Sequence, residues 1–318
     1  MTSRLGPYTV LGSLAKGSTA DVLLAIPDAT HLPRRVVIKQ LYPHLVGEGD
    51  FVRMFLDEVR LQSRLRDDGI VRVFDLDDHD GHFFAVLELT DGPSVAAALR
   101  LHHKNSSAVG VPVAVAVAVA ARVAAALHVV HTLTDVDGTP LQLVHRDVSP
   151  DNVLVSRDGA VRLADFGVAR SVVGRDSGLL AAKETTAGTK KGKAIYLAPE
   201  QVLGRASTIT ARTDLYALGA TLFTMLTGRP PFSRADGEVA LFDAILHTAA
   251  PHLSGVVADV DHGLGDLVAA LLEKRAADRP ADASTVAATL RQWCNNRDID
   301  VVDSVAAFVT GLGLPSLA

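Results

Sequence analysis

Apolar positions follow two regimes along the 318-residue chain. Up to about Leu89 they form short runs broken by Gly, Ser and Pro. That spacing predicts strands at Tyr8 to Leu14, Asp21 to Ala25, Arg35 to Lys39, Val71 to Leu76 and His82 to Leu89. One helical stretch, Phe51 to Leu65, interrupts them. From Val95 onward the spacing is helical, except for the runs Val153-Leu154-Val155 and Val161-Arg162-Leu163-Ala164 around Ser156-Arg157-Asp158-Gly159. Asp-Gly between apolar runs is a strong hairpin signal. The pattern predicts an α+β, bilobal fold: a small strand-rich lobe with one helix (8–90) and a larger, mainly helical lobe (91–293). The join falls near Thr90-Asp91-Gly92-Pro93. Asp303-Ser304 is read as the cap of a further short helix through Val309, ended by Gly311.

The run from Val111 to Ala121 is apolar throughout, then meets Arg122, His128 and His131. Its uninterrupted part is shorter than the roughly 20 residues a bilayer needs. A buried core helix is expected there, and no transmembrane segment. Hydrophobic residues at 48% and charged residues at 21% mark a folded globular chain. A formal net charge of -5 argues against nucleic acid as main partner. The one cysteine, Cys294, has no partner for an internal disulfide and fits a reducing compartment. With no apolar signal-peptide core between Met1 and Tyr8, the expected location is cytoplasmic. The longest irregular stretch, 168–197, is rich in Gly, Thr and Lys, as functional or mobile loops are.

Several polar residues sit where they need an explanation. If Asp158-Gly159 forms a two-residue loop, the hairpin places Asn152 directly across from Asp165. An amide oxygen and a carboxylate then converge, the donor pair that a magnesium ion accepts while keeping waters and phosphate ligands. Asp147 leads to the same spot. Glu58 lies beside Met54, Phe55 and Leu61 on the apolar stripe of its helix, where an unpaired carboxylate is costly. Lys39 ends the apolar strand Val36-Val37-Ile38. These two charges either pair with each other or reach out to solvent.

The run His145-Arg146-Asp147-Val148-Ser149-Pro150-Asp151-Asn152 is followed by Asp165-Phe166-Gly167 and then Ala198-Pro199-Glu200. In order and spacing these resemble the Hanks-type serine/threonine protein kinases, the bacterial branch in particular, from about Tyr8 to about Trp293. The resemblance implies a kinase domain at 1–293 and a C-terminal extension at 294–318. It implies ATP with magnesium or manganese as cofactors, and protein substrates. Lys39 then binds the α- and β-phosphates and pairs with Glu58, Asp147 accepts the substrate hydroxyl's proton, and Asn152 and Asp165 hold metal. Ala15, Gly17, Ala20, Val22, Val37, Leu87 (the gatekeeper), Glu88, Leu89 and Leu154 line the nucleotide site. Asp214 fixes the backbone of the catalytic loop, Glu200 pairs with Arg279, and His145 supports the loop without transferring protons. Arg146 beside Asp147 implies control by phosphorylation at Thr185, Thr186 or Thr189, with Ser171 and Ser177 weaker candidates. Self-association for autophosphorylation is a further implied partnership.

Two departures stand out. Of the family's three phosphate-loop glycines only Gly17 remains, and side chains at the flanking positions penalise left-handed backbone by roughly 1–2 kcal/mol. Ser149 stands where the family carries lysine, and Lys193 where it carries threonine, as if cation and hydroxyl had traded places; the other reading of Lys193 is one more solvated charge of the run Lys190-Lys191-Gly192-Lys193. An active kinase is the leading expectation. A pseudokinase scaffold and a small-molecule phosphotransferase are the competitors; the full set Lys39, Glu58, Asp147, Asn152 and Asp165 argues against the first, and Ala198-Pro199-Glu200 against the second.

Overall fold

The computed structural model describes residues 3–106, 108–166, 194–233 and 235–317. The N-terminal lobe is a six-stranded antiparallel sheet, β1 (Ser3–Leu5), β2 (Tyr8–Lys16), β3 (Ala20–Pro27), β4 (Val36–Leu41), β5 (Val73–His79) and β6 (His82–Leu87), in the order β1-β2-β3-β4-β6-β5. Each predicted strand is present. The three-residue β1 is too short for the pattern to announce. A short helix, α1 (Pro43–Val46), and the long α2 (Gly49–Ser63) lie between β4 and β5. Along α2 the buried residues Phe55, Glu58, Val59 and Gln62 recur at helical spacing, so Glu58 is on the face turned to the sheet.

The larger lobe comprises α3 (Val95–Asn105), α4 (Val113–His131), the hairpin β7 (Val153–Val155) and β8 (Val161–Leu163), α5 (Pro199–Val202), α6 (Ala211–Thr227), α7 (Glu238–His247), α8 (His262–Leu271), α9 (Ala283–Asn295) and α10 (Val301–Gly311). A helix apolar on every side belongs in a core. By length and composition α4 could also cross a membrane, yet most of its side chains are buried by the lobe itself, against α6, α9 and α10. Two smaller apolar clusters fill the N-terminal lobe, one between α2 and the sheet and one around Tyr8, Ile38 and Phe84.

The hairpin departs from expectation by one residue. Val153 pairs with Leu163 and Val155 with Val161, so Asn152 stands opposite Ala164, whose N–H donates to the Asn152 carbonyl at 2.9 Å, and not opposite Asp165. The loop has three residues, Arg157 to Gly159, closed by Ser156: its N–H donates to Ala160 O at 2.9 Å, and its Oγ accepts from Ala160 N at 2.9 Å. The C-terminal helix starts earlier than predicted. Its cap is Asp300, whose carboxylate accepts from Asp303 N at 2.9 Å.

Candidate active site

Lys39 projects from β4 toward α2, and the two costly charges do find each other: Lys39 Nζ donates to Glu58 Oε1 at 2.8 Å. The same ammonium donates to Asp165 Oδ1, also at 2.8 Å, which ties sheet, helix and the end of β8 into one knot. Burial works against the lysine's charge, but Asp165 and Glu58 outweigh it and hold its pKa above the usual range. Burial pushes Glu58 up, with Lys39 opposing. At 2.8 Å the ionised pair is the state the geometry favours.

Asp147 and Asn152 form the second half of the site. Asn152 Nδ2 donates to Asp147 O at 2.7 Å and to Asp147 Oδ2 at 2.9 Å. That orientation commits the amide nitrogen to Asp147; of the two amide atoms, Oδ1 is the one a cation accepts. The halves are electrostatic neighbours: both Asp147 and Asp165 act on Glu58 and on His145. Among the described residues no group of three or more acidic, His or Cys side chains forms a closed cage. Asn152 Oδ1 and the Asp165 carboxylate are hard-oxygen donors of the kind a cation takes together with water and phosphate.

The catalytic loop is held from beneath. Asp214, fully buried on α6, accepts from His145 N and Arg146 N at 2.8 Å each and from His131 Nε2 at 2.8 Å. Those bonds stabilise Arg146 at φ +66°, a left-handed conformation costly for a non-glycine residue; Asp165 is similar at φ +55°. His145 is a neutral support. Its Nδ1 accepts from Asp147 N at 3.3 Å, its Nε2 faces Ala164 O at 3.2 Å, and its ring lies 4.5 Å from that of Phe166. Burial lowers its pKa, keeping the imidazole uncharged. Arg279 and Glu200 form a buried bidentate pair at 2.8 and 2.9 Å, and Thr213 Oγ1 donates to the same carboxylate at 2.7 Å.

The apolar residues expected to line a nucleotide site meet across the lobes. Val22, Val37, Leu87 and Leu89 from above and Leu154 and Ala164 from below share one apolar cluster. The Glu88 side chain is held by Arg162, at 3.0 Å. Ala20 is buried under the β2–β3 turn, while Ala15 and Gly17 are exposed on it. This turn corrects the penalty expected for missing glycines. None of residues 15–20 has positive φ, so no left-handed backbone is required there. Gly17 N donates to Ala20 O at 2.8 Å, and Tyr42 Oη donates to Gly17 O at 3.2 Å. A hollow of about 510 Å³ between β1 and the β5–β6 turn is lined by none of these side chains.

Lys193, Thr185, Thr186 and Thr189 lie outside the described residues, as do Ser171 and Ser177. Sequence reasoning missed three supports. His131 ends a mostly apolar helix, and its ring nitrogen bonds inward to Asp214. Gln201 Nε2 donates to Arg146 O at 3.0 Å, and Tyr42 steadies the turn; neither had a recognisable pattern.

A two-lobed fold with a lysine–glutamate–aspartate knot above an aspartate–asparagine pair defines a phosphoryl-transfer domain. The chain belongs to the protein kinase family: the model described as "Protein kinase domain" matches residues 8–293. It is 37% identical over 242 residues to the "Tyrosine-protein kinase MasK" of Myxococcus xanthus, covering 76% of this chain and 36% of that protein. It is 33% identical over 283 residues to the "Serine/threonine-protein kinase PknL" of Mycobacterium tuberculosis, covering 89% and 64%. The chain therefore spans less than two thirds of either relative. Among solved structures, the PknI kinase domain of Mycobacterium tuberculosis superposes with a TM-score of 0.65 at 25% identity, covering 92% of this chain and 98% of that one.

Proposed function

We propose that this chain transfers the γ-phosphoryl group of ATP to serine or threonine hydroxyls of protein substrates. The observation that carries the reading is Lys39 bridging Glu58 and Asp165 at 2.8 Å each, beside the Asp147–Asn152 pair. Protein kinases use ATP and a divalent cation; held by Asn152 and Asp165, magnesium or manganese would offset phosphate charge. Lys39 grips the α- and β-phosphates, and Asp147 orients the acceptor hydroxyl. The bond from the γ-phosphorus to the β–γ bridging oxygen breaks, leaving ADP. The hydroxyl oxygen bonds to phosphorus and its proton passes to Asp147.

The pseudokinase alternative is not favoured, because all five key residues are present and the contacts among them are made. Phosphate transfer from labelled ATP, compared with Asp147→Asn, tests the reading. Signal lost in the variant supports it, and no signal in the wild type refutes it. Phosphoamino-acid analysis separates serine and threonine from tyrosine, the acceptor in MasK's name.

Further parts of this reading concern residues outside those described. Lys193 supplies the cation that Ser149 lacks; the support is that Ser149 is 1% exposed with a hydroxyl that meets no partner. Thr185, Thr186 or Thr189 takes the activating phosphate, through self-association of two copies. The compartment is cytoplasmic, in keeping with Cys294 as a buried free thiol.

A further inference from the structure

The C-terminal extension is built into the catalytic unit. Val305 and Val309 of α10 are fully buried and Leu312 nearly so, in the same core as α4. Phe308 packs edge-on against His102 of α3 at 5.4 Å. Phe308 also shares a small cleft with Val95, Val119 and Val155, so the helix backs the strand that carries the catalytic loop. At the hairpin turn, Gly159 has φ +80°, and a Cβ there would lie 2.2 Å from Val302 O. Only glycine fits that approach.

Beyond α10 the chain runs to the join between the lobes. Ser316 Oγ donates to Asp91 Oδ2 at 2.6 Å, and Leu317 N donates to Asp91 Oδ1 at 2.6 Å. Leu317 O then accepts from Arg35 Nη1, at the start of β4 in the other lobe, at 2.5 Å. The same Asp91 Oδ2 also faces Arg157 Nε of the catalytic hairpin at 3.9 Å, and the Asp91 carbonyl accepts from Arg157 N at 3.1 Å. One short segment thus touches the larger lobe, the join and the smaller lobe.

We propose that residues 300–317 form an interlobe brace, with Asp91 as a positioning residue: α10 anchors the segment, and the Asp91–Leu317–Arg35 chain of bonds holds the lobes at the angle that admits nucleotide. The proposal rests on the kinase reading for its consequence but not for its geometry. A brace raises the population of the binding-competent lobe angle, and apparent affinity scales with that population.

Two variants cut the bolt from opposite ends, away from the residues expected to meet nucleotide. Ser316→Ala combined with Leu317→Pro removes both donors to Asp91, and Arg35→Met removes the donor to Leu317 O. In the full chain, each should weaken ADP binding about three- to tenfold and raise KM for ATP by a similar factor, with kcat changed less than twofold. Combining the two variants should match either one, because both cut one chain of bonds. Backbone hydrogen exchange at 88–92 should quicken in every variant. A lower melting temperature with unchanged ADP affinity and unchanged exchange at the join would reduce the segment to passive packing and overturn the proposal. Exchange decides the brace even if the wild type binds no ADP, an outcome that would count against the kinase reading alone.

Discussion

Two ion networks in this domain share a bond length of 2.8 Å and should respond unequally to losing a partner. Glu200→Gln leaves Arg279 with its side chain wholly buried and no carboxylate. A guanidinium cannot shed its proton to relieve that position. Breaking a buried pair from one side costs about 3–5 kcal/mol. At about 2 °C per kcal/mol for a chain of this size, the melting temperature should fall by about 6–10 °C. Lys39→Met leaves Glu58 instead, and a carboxyl can neutralise itself by taking a proton, at about 1.4 kcal/mol per pKa unit. Burial already pushes Glu58 that way, and Asp165, whose side chain is 45% exposed, can turn to water. The expected loss is about 1–2 kcal/mol with phosphoryl transfer abolished. Differential scanning calorimetry on both variants, beside an activity assay, checks the pair. If Lys39→Met destabilises as much as Glu200→Gln, the argument from which ion is left behind is wrong. The acid limb gives a second reading. Burial raises Glu200, but the bonds from Arg279 and Thr213 outweigh it, and its pKa is lowered. Its contribution is complete above the ordinary carboxylate pKa of about 4.3 and is lost as pH falls through the lower folded value. Glu200→Gln should flatten acid unfolding below about pH 4.

Three further outcomes are expected. His145 is buried and neutral with a lowered pKa, so its contribution to stability is complete above about pH 6.5 and declines as pH falls; His145→Asn should shrink the drop in urea midpoint between pH 7.5 and 5.5. Gly92→Ala would set a Cβ 2.1 Å from Val155 O, forcing the join off β7; nucleotide affinity should fall at least tenfold, by fluorescence titration. Lys193→Thr should cut kcat by about a hundredfold or more, and adding Ser149→Lys should restore part of it; an active single variant would return Lys193 to the solvent-facing run.

What was legible in the sequence had a local physical cost attached to it. Glu58 on an apolar stripe and Lys39 at the end of an apolar strand each demand a partner, and the partner found is the other. Register was less legible. Arg157-Asp158-Gly159 as a three-residue loop and Asp158-Gly159 as a two-residue loop use the same glycine in left-handed backbone. The choice falls to Ser156, whose hydroxyl bonds around the turn to Ala160. A one-residue slip would ordinarily send a side chain to the wrong face. Asp165 escapes that fate because its own left-handed φ re-aims it at Lys39.

The phosphate turn shows the complementary failure, a rule applied without its premise. Glycines matter where the backbone must go left-handed or a ligand needs the space. Here β2 and β3 run to a closed turn with every φ from 15 to 20 negative, and Tyr42 steadies its carbonyl. Loss of glycine therefore need not mean loss of the nucleotide. The C-terminal segment was illegible for a third reason. Its contacts with Asp91 and Arg35 run mostly through the main-chain N–H and carbonyl of Leu317, and backbone groups carry no sequence signal. A residue whose side chain is unremarkable can still close a bond that spans 282 positions of the chain.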